Sequence, residues 1–247
     1  MARYYCSGFD VANAFGHGLG ELFRQELKSN GSIVFIPGGV ERVEKAKNKT
    51  VPVFLEHLKN VGIEFEESIL ITPDLTKEQA REAVKHADML MLLGGNPFRL
   101  KELCVEQDLI KELREYKGLM VGFSAGAMFM SKYIIVTPCS EEYPDFQVEE
   151  GLNLDGISIY PHNNTEEEEY PEKVVSGDEI YVRNDLLKVA AEYGEFYLIQ
   201  DHMRESGETD VSLIKVTNGH AEYYTENQGK IWKATGNGVY NQTNSRR

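Results

Sequence analysis

Short apolar runs alternate with longer amphipathic ones over the first two thirds of the chain. Ser32-Ile33-Val34-Phe35-Ile36-Pro37, Ile69-Leu70-Ile71, Asp88 to Leu93 and Leu119-Met120-Val121-Gly122-Phe123 have the length and the unbroken apolarity of buried strands. Between them the period changes. Val51, Val53, Phe54, Leu55, Leu58 and Val61 recur as one face of a helix, and Thr76-Lys77-Glu78-Gln79 has the form of a capping box opening a helix through His86. Pro97 suits the first turn of a helix over 97–116, and Ala125 to Lys132 predicts another. Strands apolar on both faces need cover on both sides. The expectation is therefore an α/β fold with a mainly parallel sheet and helices on both faces.

After residue 132 the pattern loosens. Gly156 to Tyr160 predicts a short strand leading into Pro161-His162, Arg183 to Tyr193 a helix, and Phe196 to Gln200 a strand. Residues 211–235 alternate like a C-terminal β-hairpin turning at Asn218-Gly219. Neither a repeat nor a linker divides the chain. It reads as a single hydrolytic domain over 1–240 with a disordered polar tail over 241–247.

Charge and composition narrow the partners. Forty acidic against 26 basic residues give a formal charge of −14, which disfavours nucleic acid and anionic membrane surfaces. The three cysteines, Cys6, Cys104 and Cys139, are too few and of the wrong parity for a disulfide framework, and no apolar run reaches bilayer length. A cytoplasmic protein is expected. There is no His-Glu-x-x-His, no paired cysteine motif, no Walker A loop and no dinucleotide-binding glycine pattern, so neither metal nor cofactor is expected.

Gly122-Phe123-Ser124-Ala125-Gly126 joins a strand to a helix and has the Gly-x-Ser-x-Gly form of a nucleophile elbow. Such a turn needs very small residues two before and two after the serine. The pentapeptide alone is equally compatible with a capped strand–helix junction. A serine nucleophile needs an oriented base. Of six histidines, His162 follows a strand downstream of the elbow and so can reach the same sheet edge. Asp201, after the strand 196–200, is the candidate for the orienting carboxylate, with Glu141, Glu142 and Asp145 as rivals. Gly94-Gly95-Asn96 also follows a strand. Gly95 and Ala125 are the candidate oxyanion-hole amides, and Gly94 and Asn96 candidate substrate contacts, although Asn96 would equally cap the helix at Pro97.

In this order, Leu93-Gly94-Gly95-Asn96, Gly122-Phe123-Ser124-Ala125-Gly126-Ala127 and Ile159-Tyr160-Pro161-His162 resemble the motifs of the dipeptidase E (α-aspartyl dipeptidase) family of serine peptidases, related to cyanophycinase, over roughly residues 30–220. The resemblance implies a fold like the class I glutamine amidotransferases, a flavodoxin-like three-layer arrangement with serine in place of cysteine. It implies removal of an amino-terminal aspartate from dipeptides without metal or cofactor, by a monomer or homodimer. Ser124 then maps onto the nucleophile, His162 onto the base, and Asp201 onto a position where the family carries glutamate. Two departures stand out. Leu93 replaces the first glycine of a triple, and the specificity arginine after the histidine has only Arg183 as a gapped counterpart, with Glu166 to Glu169 and Glu172 intervening. The expected function is a serine peptidase acting on dipeptides or small peptides. The alternatives are a hydrolase of γ-glutamyl or β-aspartyl amides and an inactive amidotransferase-like binding domain.

Overall fold

The computed structural model describes residues 2–8, 16–138, 144–163, 173–176, 178–181, 184–200, 202–203, 209–210, 212–225 and 229–242. In chain order the strands of the first half are β1 (Ala2–Cys6), β2 (Ser32–Gly38), β3 (Glu67–Leu70), β4 (Met89–Gly95) and β5 (Leu119–Phe123). They are followed by β6 (Tyr133–Val136), β7 (Gln147–Glu150), β8 (Ile159–Tyr160), β9 (Lys173–Ser176), β10 (Asp178–Tyr181), β11 (Phe196–Gln200), β12 (His202–Met203) and β13 (Thr209–Asp210). The last four are β14 (Leu213–Thr217), β15 (His220–Tyr224), β16 (Lys230–Thr235) and β17 (Gly238–Asn241). The helices are α1 (Gly16–Glu26), α2 (Val43–Lys45), α3 (Val51–Asn60), α4 (Lys77–His86), α5 (Pro97–Glu106), α6 (Ile110–Glu115), α7 (Ala125–Met130) and α8 (Asn184–Tyr193).

The main sheet has the strand order β15-β14-β1-β5-β4-β2-β3. The five strands from β1 to β3 are parallel, while β14 and β15 add an antiparallel edge. Alternate strand residues go to opposite faces, as a period of two requires. Val34, Ile36, Leu90, Leu92 and Met120 pack with Val84, Leu103, Leu113 and Ala127 of α4 to α7. Ile33, Phe35, Met89, Met91 and Val121 pack with Phe23 of α1 and with Phe54 and Leu58 of α3. Both faces are covered, which is why these strands read as continuous apolar runs. Among the described residues no helix is long and apolar enough to cross a membrane.

Local chemistry explains most boundaries. The capping box forms: Thr76 Oγ1 accepts from Gln79 N–H, and Gln79 Oε1 accepts from Thr76 N–H. Asn218 and Gly219 take φ values of 51° and 79°, as a tight hairpin turn between β14 and β15 requires. The helix expected over 97–116 is broken into α5 and α6, because Asp108 adopts a left-handed φ of 56° and Leu109 N–H reverts to Cys104 O. The region 211–235 is also divided. β14 and β15 form the hairpin on the main sheet, whereas β16 pairs with β11 in a second sheet ordered β17-β16-β11-β8. That sheet packs Phe196, Leu198, Trp232 and Ala234 against Leu186 and Val189 of α8. β17 runs to Asn241, which pairs with Trp232, and 243–247 lie outside the described residues.

Among the elements without a counterpart in the apolar pattern, two lie beside the site. β1 is central and fully buried although it reads Ala-Arg-Tyr-Tyr-Cys. Two of its polar side chains are met from afar: Arg3 Nη1 donates to Asp155 Oδ1 at 2.6 Å and Tyr5 O–H to Asp155 Oδ2 at 2.7 Å. Between β2 and α3 the backbone passes through a 3-10 turn (Val40–Arg42), α2, and a π-helical turn (Ala46–Thr50).

Candidate active site

Ser124 stands where β5 ends and α7 begins, at φ 49° and ψ −109°. A non-glycine residue there is strained by about 1–3 kcal/mol and persists only if its surroundings dictate it. They do. Ser124 N–H donates to Cys6 O at 2.9 Å, and Ser124 O accepts from Met128 N–H at 3.0 Å. A Cβ on Gly122 would meet Ala127 N at 2.6 Å, and one on Gly126 would meet Leu92 O at 2.1 Å. The two small positions expected of an elbow are therefore enforced by backbone approaching backbone, which no side-chain adjustment relieves.

His162 arrives from the other sheet. β8 pairs in parallel with β11, placing Tyr160 beside Leu198, and Asn163 N–H donates to Ile199 O at 3.0 Å. The pairing brackets His162 on both sides. Its own φ of 57° bends the chain back toward Ser124, and Nε2 lies 2.9 Å from Ser124 Oγ. That is hydrogen-bond reach between nucleophile and base. The loop carrying β8 is itself tied to β1 through the buried Arg3–Asp155 pair and to β6 by Lys132 N–H donating to Ile157 O at 2.7 Å. A Cβ on Gly8 would stand 3.8 Å from His162 Cε1. That is ordinary van der Waals contact, so Gly8 borders the ring without its small size being required there.

Gly94 and Gly95 close β4 beside the serine. A Cβ on Gly94 would lie 3.7 Å from Ser124 Cβ, and Gly95 at φ 152° is packed against Gly38. Asn96 serves α5 as a cap, its Oδ1 accepting from Phe98 N–H at 2.9 Å and Arg99 N–H at 3.2 Å. Ala125 is buried in the first turn of α7, where N–H groups have no intrahelical acceptor. A cavity of about 330 Å³ opens over Gly8, Gly94, Gly95 and Ser124 and continues past Gly38 to Arg42, Lys45, Thr50 and Phe54.

Asp201, Arg183, Glu141 and Glu142 lie outside the described residues, as do the acidic stretch 166–169 and Glu172; Asp145 is described and exposed. No cysteine competes with the serine among the described residues, because burial pushes the thiols of Cys6 and Cys104 well up, leaving them neutral. Gly8, Arg42 and Lys45 were not identifiable from the sequence. Gly8 follows a strand that carries no aliphatic run, and the two cations sit in a polar stretch, 41–50, with too few apolar residues to mark a helix face.

Comparison with known proteins places the chain in a family. Peptidase family S51 matches residues 7–202. Peptidase E from Escherichia coli O6:K15:H31 (strain 536) is 24% identical over 220 residues, spanning 86% of this chain and 85% of that protein, and Peptidase E from Shigella flexneri gives the same values. The fold is similar to that of a peptidase from an acI-B1 Actinobacterium, with a TM-score of 0.64, 18% identity, and 99% and 95% of the two chains covered. It is likewise similar to a putative Peptidase E protein from Listeria monocytogenes EGD-e, with a TM-score of 0.60, 18% identity, and 92% and 98% covered.

Proposed function

The chain belongs to peptidase family S51 and is a peptidase, and from that premise we propose that it cleaves dipeptides or other small peptides through a Ser124–His162–acid relay and an acyl-enzyme. The observation that carries this reading is the 2.9 Å separation of His162 Nε2 and Ser124 Oγ across two different sheets, at a strained serine. In the proposed reaction His162 Nε2 takes the hydroxyl proton as Ser124 Oγ attacks the peptide carbonyl. The N–H groups of Gly95 and Ala125 receive the oxyanion. The imidazolium then protonates the leaving amine, and water repeats the sequence to release the acyl group and restore Ser124. Asp201 is the proposed partner of the imidazolium. It follows Gln200, the last residue of β11, and the neighbouring Ile199 O is the acceptor that fixes Asn163. Gly94, Asn96 and Arg183 remain the proposed substrate contacts.

The test is turnover of a panel of dipeptides and aminoacyl amides by the wild-type, Ser124→Ala and His162→Ala proteins, with fluorophosphonate labelling of Ser124. Wild-type turnover that both substitutions lower by about three orders of magnitude or more is expected. Undiminished activity of Ser124→Ala would sink the assignment.

A further inference from the structure

β1 is bonded to both sides of the Ser124–His162 contact, by different means. Its backbone extends the parallel ladder with β5 one residue past that strand, where Cys6 O accepts from Ser124 N–H at 2.9 Å. Ser7 anchors the strand end just before β14, its N–H and its hydroxyl both donating to Ser212 O, at 2.9 and 3.0 Å. The side chains of β1 reach the loop that leads to the other sheet. Arg3 and Tyr5 are two residues apart and so share one face of the strand. Arg3 Nη1 donates to Asp155 Oδ1 and, at 3.2 Å, to Leu154 O, while Tyr5 O–H donates to Asp155 Oδ2. Both oxygens of one carboxylate are thus bonded to one strand.

His162 depends on that hold because its own strand is short. β8 has two residues and lies at the edge of its sheet, with Tyr197 N–H donating to Ser158 O at 2.8 Å and Asn163 N–H to Ile199 O at 3.0 Å. Asp155 stands seven positions before His162, bracketed by left-handed Asn153 (φ 55°) and Gly156 (φ 74°). A carboxylate taken out of water is costly unless its oxygens are bonded. The side chains of Arg3 and Asp155 are 10% and 7% exposed, and Tyr5 is fully buried. A slip of the loop by one residue along β1 would bring Leu154 or Gly156 opposite Arg3 and leave two buried charges unpaired. Buried pairs add little net stability but can fix a register. Burial, and after it the Asp155 charge, push the Tyr5 phenol well above its ordinary pKa, so it stays a donor wherever a histidine base works.

We propose that Arg3, Tyr5 and Asp155 are positioning residues: they lock the loop before β8 onto the strand that also fixes Ser124, and so set the separation of His162 Nε2 from Ser124 Oγ. None of the three lines the cavity over Ser124, so they act through the backbone that carries the histidine. The assignment rests on the Ser124–His162 reading of the site and adds a catalytic consequence to a buried ion pair. A misplacement of about 1 Å between reacting groups can cost about a hundredfold in rate, so a small drift of the loop suffices.

The experiment replaces the cluster by apolar side chains of similar volume, Arg3→Met/Tyr5→Phe/Asp155→Leu, since such replacement of a buried pair often preserves stability while removing the tether. Arg114→Met is the control. It cuts a different tie of the same loop, Arg114 Nε donating to Leu152 O at 3.1 Å. Denaturant titration first establishes that each protein is folded under assay conditions. For the triple variant kcat on the dipeptide panel is expected to fall about tenfold or more with KM held within about twofold, and the rate of fluorophosphonate labelling at Ser124 to fall by a similar factor. Arg114→Met should keep both. A crystal structure of the triple variant should show His162 Nε2 beyond hydrogen-bond reach of Ser124 Oγ. Wild-type kcat and labelling in the folded triple variant, an equal fall in Arg114→Met, or an unchanged separation of His162 and Ser124 overturns the assignment. If the triple variant does not fold, Tyr5→Phe, which removes one hydrogen bond and no charge, is read for the same outcomes with a smaller fall. Should Ser124→Ala retain turnover, the relay reading fails by itself, and the separation of His162 and Ser124 in the variants still decides whether the cluster positions the histidine.

Discussion

At its amino edge the main sheet is closed by hydrogen bonds with ordinary backbone geometry. Asp88, just before β4, accepts from Ser32 N–H at 3.0 Å and from the Ser29 hydroxyl, and the buried Tyr116 O–H donates to Ala87 O at 3.1 Å. At the carboxyl edge the same strands end in residues that no stability argument favours. Ser124 and His162 both hold positive φ, Gly94 and Gly95 offer no side chains, and cations line an open cavity. At the amino edge Ser29, Ser32, Asp88 and Tyr116 each satisfy a neighbour. At the carboxyl edge hydroxyl, imidazole and amides are held in place by distant parts of the fold. Strain placed there is tolerated because the remainder of the sheet over-determines it.

Substitutions can break that contrast at either end. The largest effect is expected from Ser124→Ala, which should lower peptidase kcat by about three orders of magnitude or more while the unfolding midpoint stays at or above that of wild type. A large fall in stability would show that the elbow is structural. Gly126→Ala drives a Cβ to 2.1 Å from Leu92 O and should cost about 3 kcal/mol, read by denaturant titration, and activity should fall with it. Ser124→Gly relieves the positive φ and should raise stability by about 1 kcal/mol, or about 2–4 °C in a scan, while abolishing turnover. No gain would mean that the serine is not strained. At the opposite edge, Tyr116→Phe leaves Ala87 O without its donor and should cost about 1 kcal/mol with kcat/KM unaltered.

The smallest effect concerns pH. Burial raises the Asp88 carboxyl, but hydrogen bonds from Ser29, Ser32 and Gly31 outweigh it and hold the pKa below its ordinary value. Folding therefore favours the ionised form. This contribution is fully present above the ordinary carboxylate pKa of about 4 and is lost as pH falls through the lower folded value. Asp88→Asn should flatten the acid limb of the stability curve below about pH 4 and leave the pH dependence of kcat/KM unaltered. A shifted activity profile would show that the two edges are coupled.

The sequence pattern reached parts of this molecule unevenly, for physical reasons. β2, β4 and β5 were legible because strands covered on both faces must be apolar throughout, and α4 because its cap is written in four consecutive residues. β1 was not legible, since its burial is secured by Asp155, a residue 152 positions from Arg3, and its two tyrosines and one arginine mimic a surface segment. The extent of α5 was overread because periodicity continues across a turn that one left-handed aspartate breaks. The final strands were legible as strands, but nothing local states which sheet they join. β14 and β16 carry the same alternation and belong to different sheets.

By itself the sequence determined the elbow, because steric demands within five residues are local, and the order of glycine loop, serine and histidine along the chain. Only the tertiary structure decided that His162, 38 residues on from Ser124 and on the other sheet, comes within 2.9 Å of its hydroxyl. It also decided that Arg42 and Lys45 share the cavity with Ser124. Distance between sheets is set by how two cores pack, and the lining of a cavity by which strand ends lie side by side. Neither is a property of any single window of sequence.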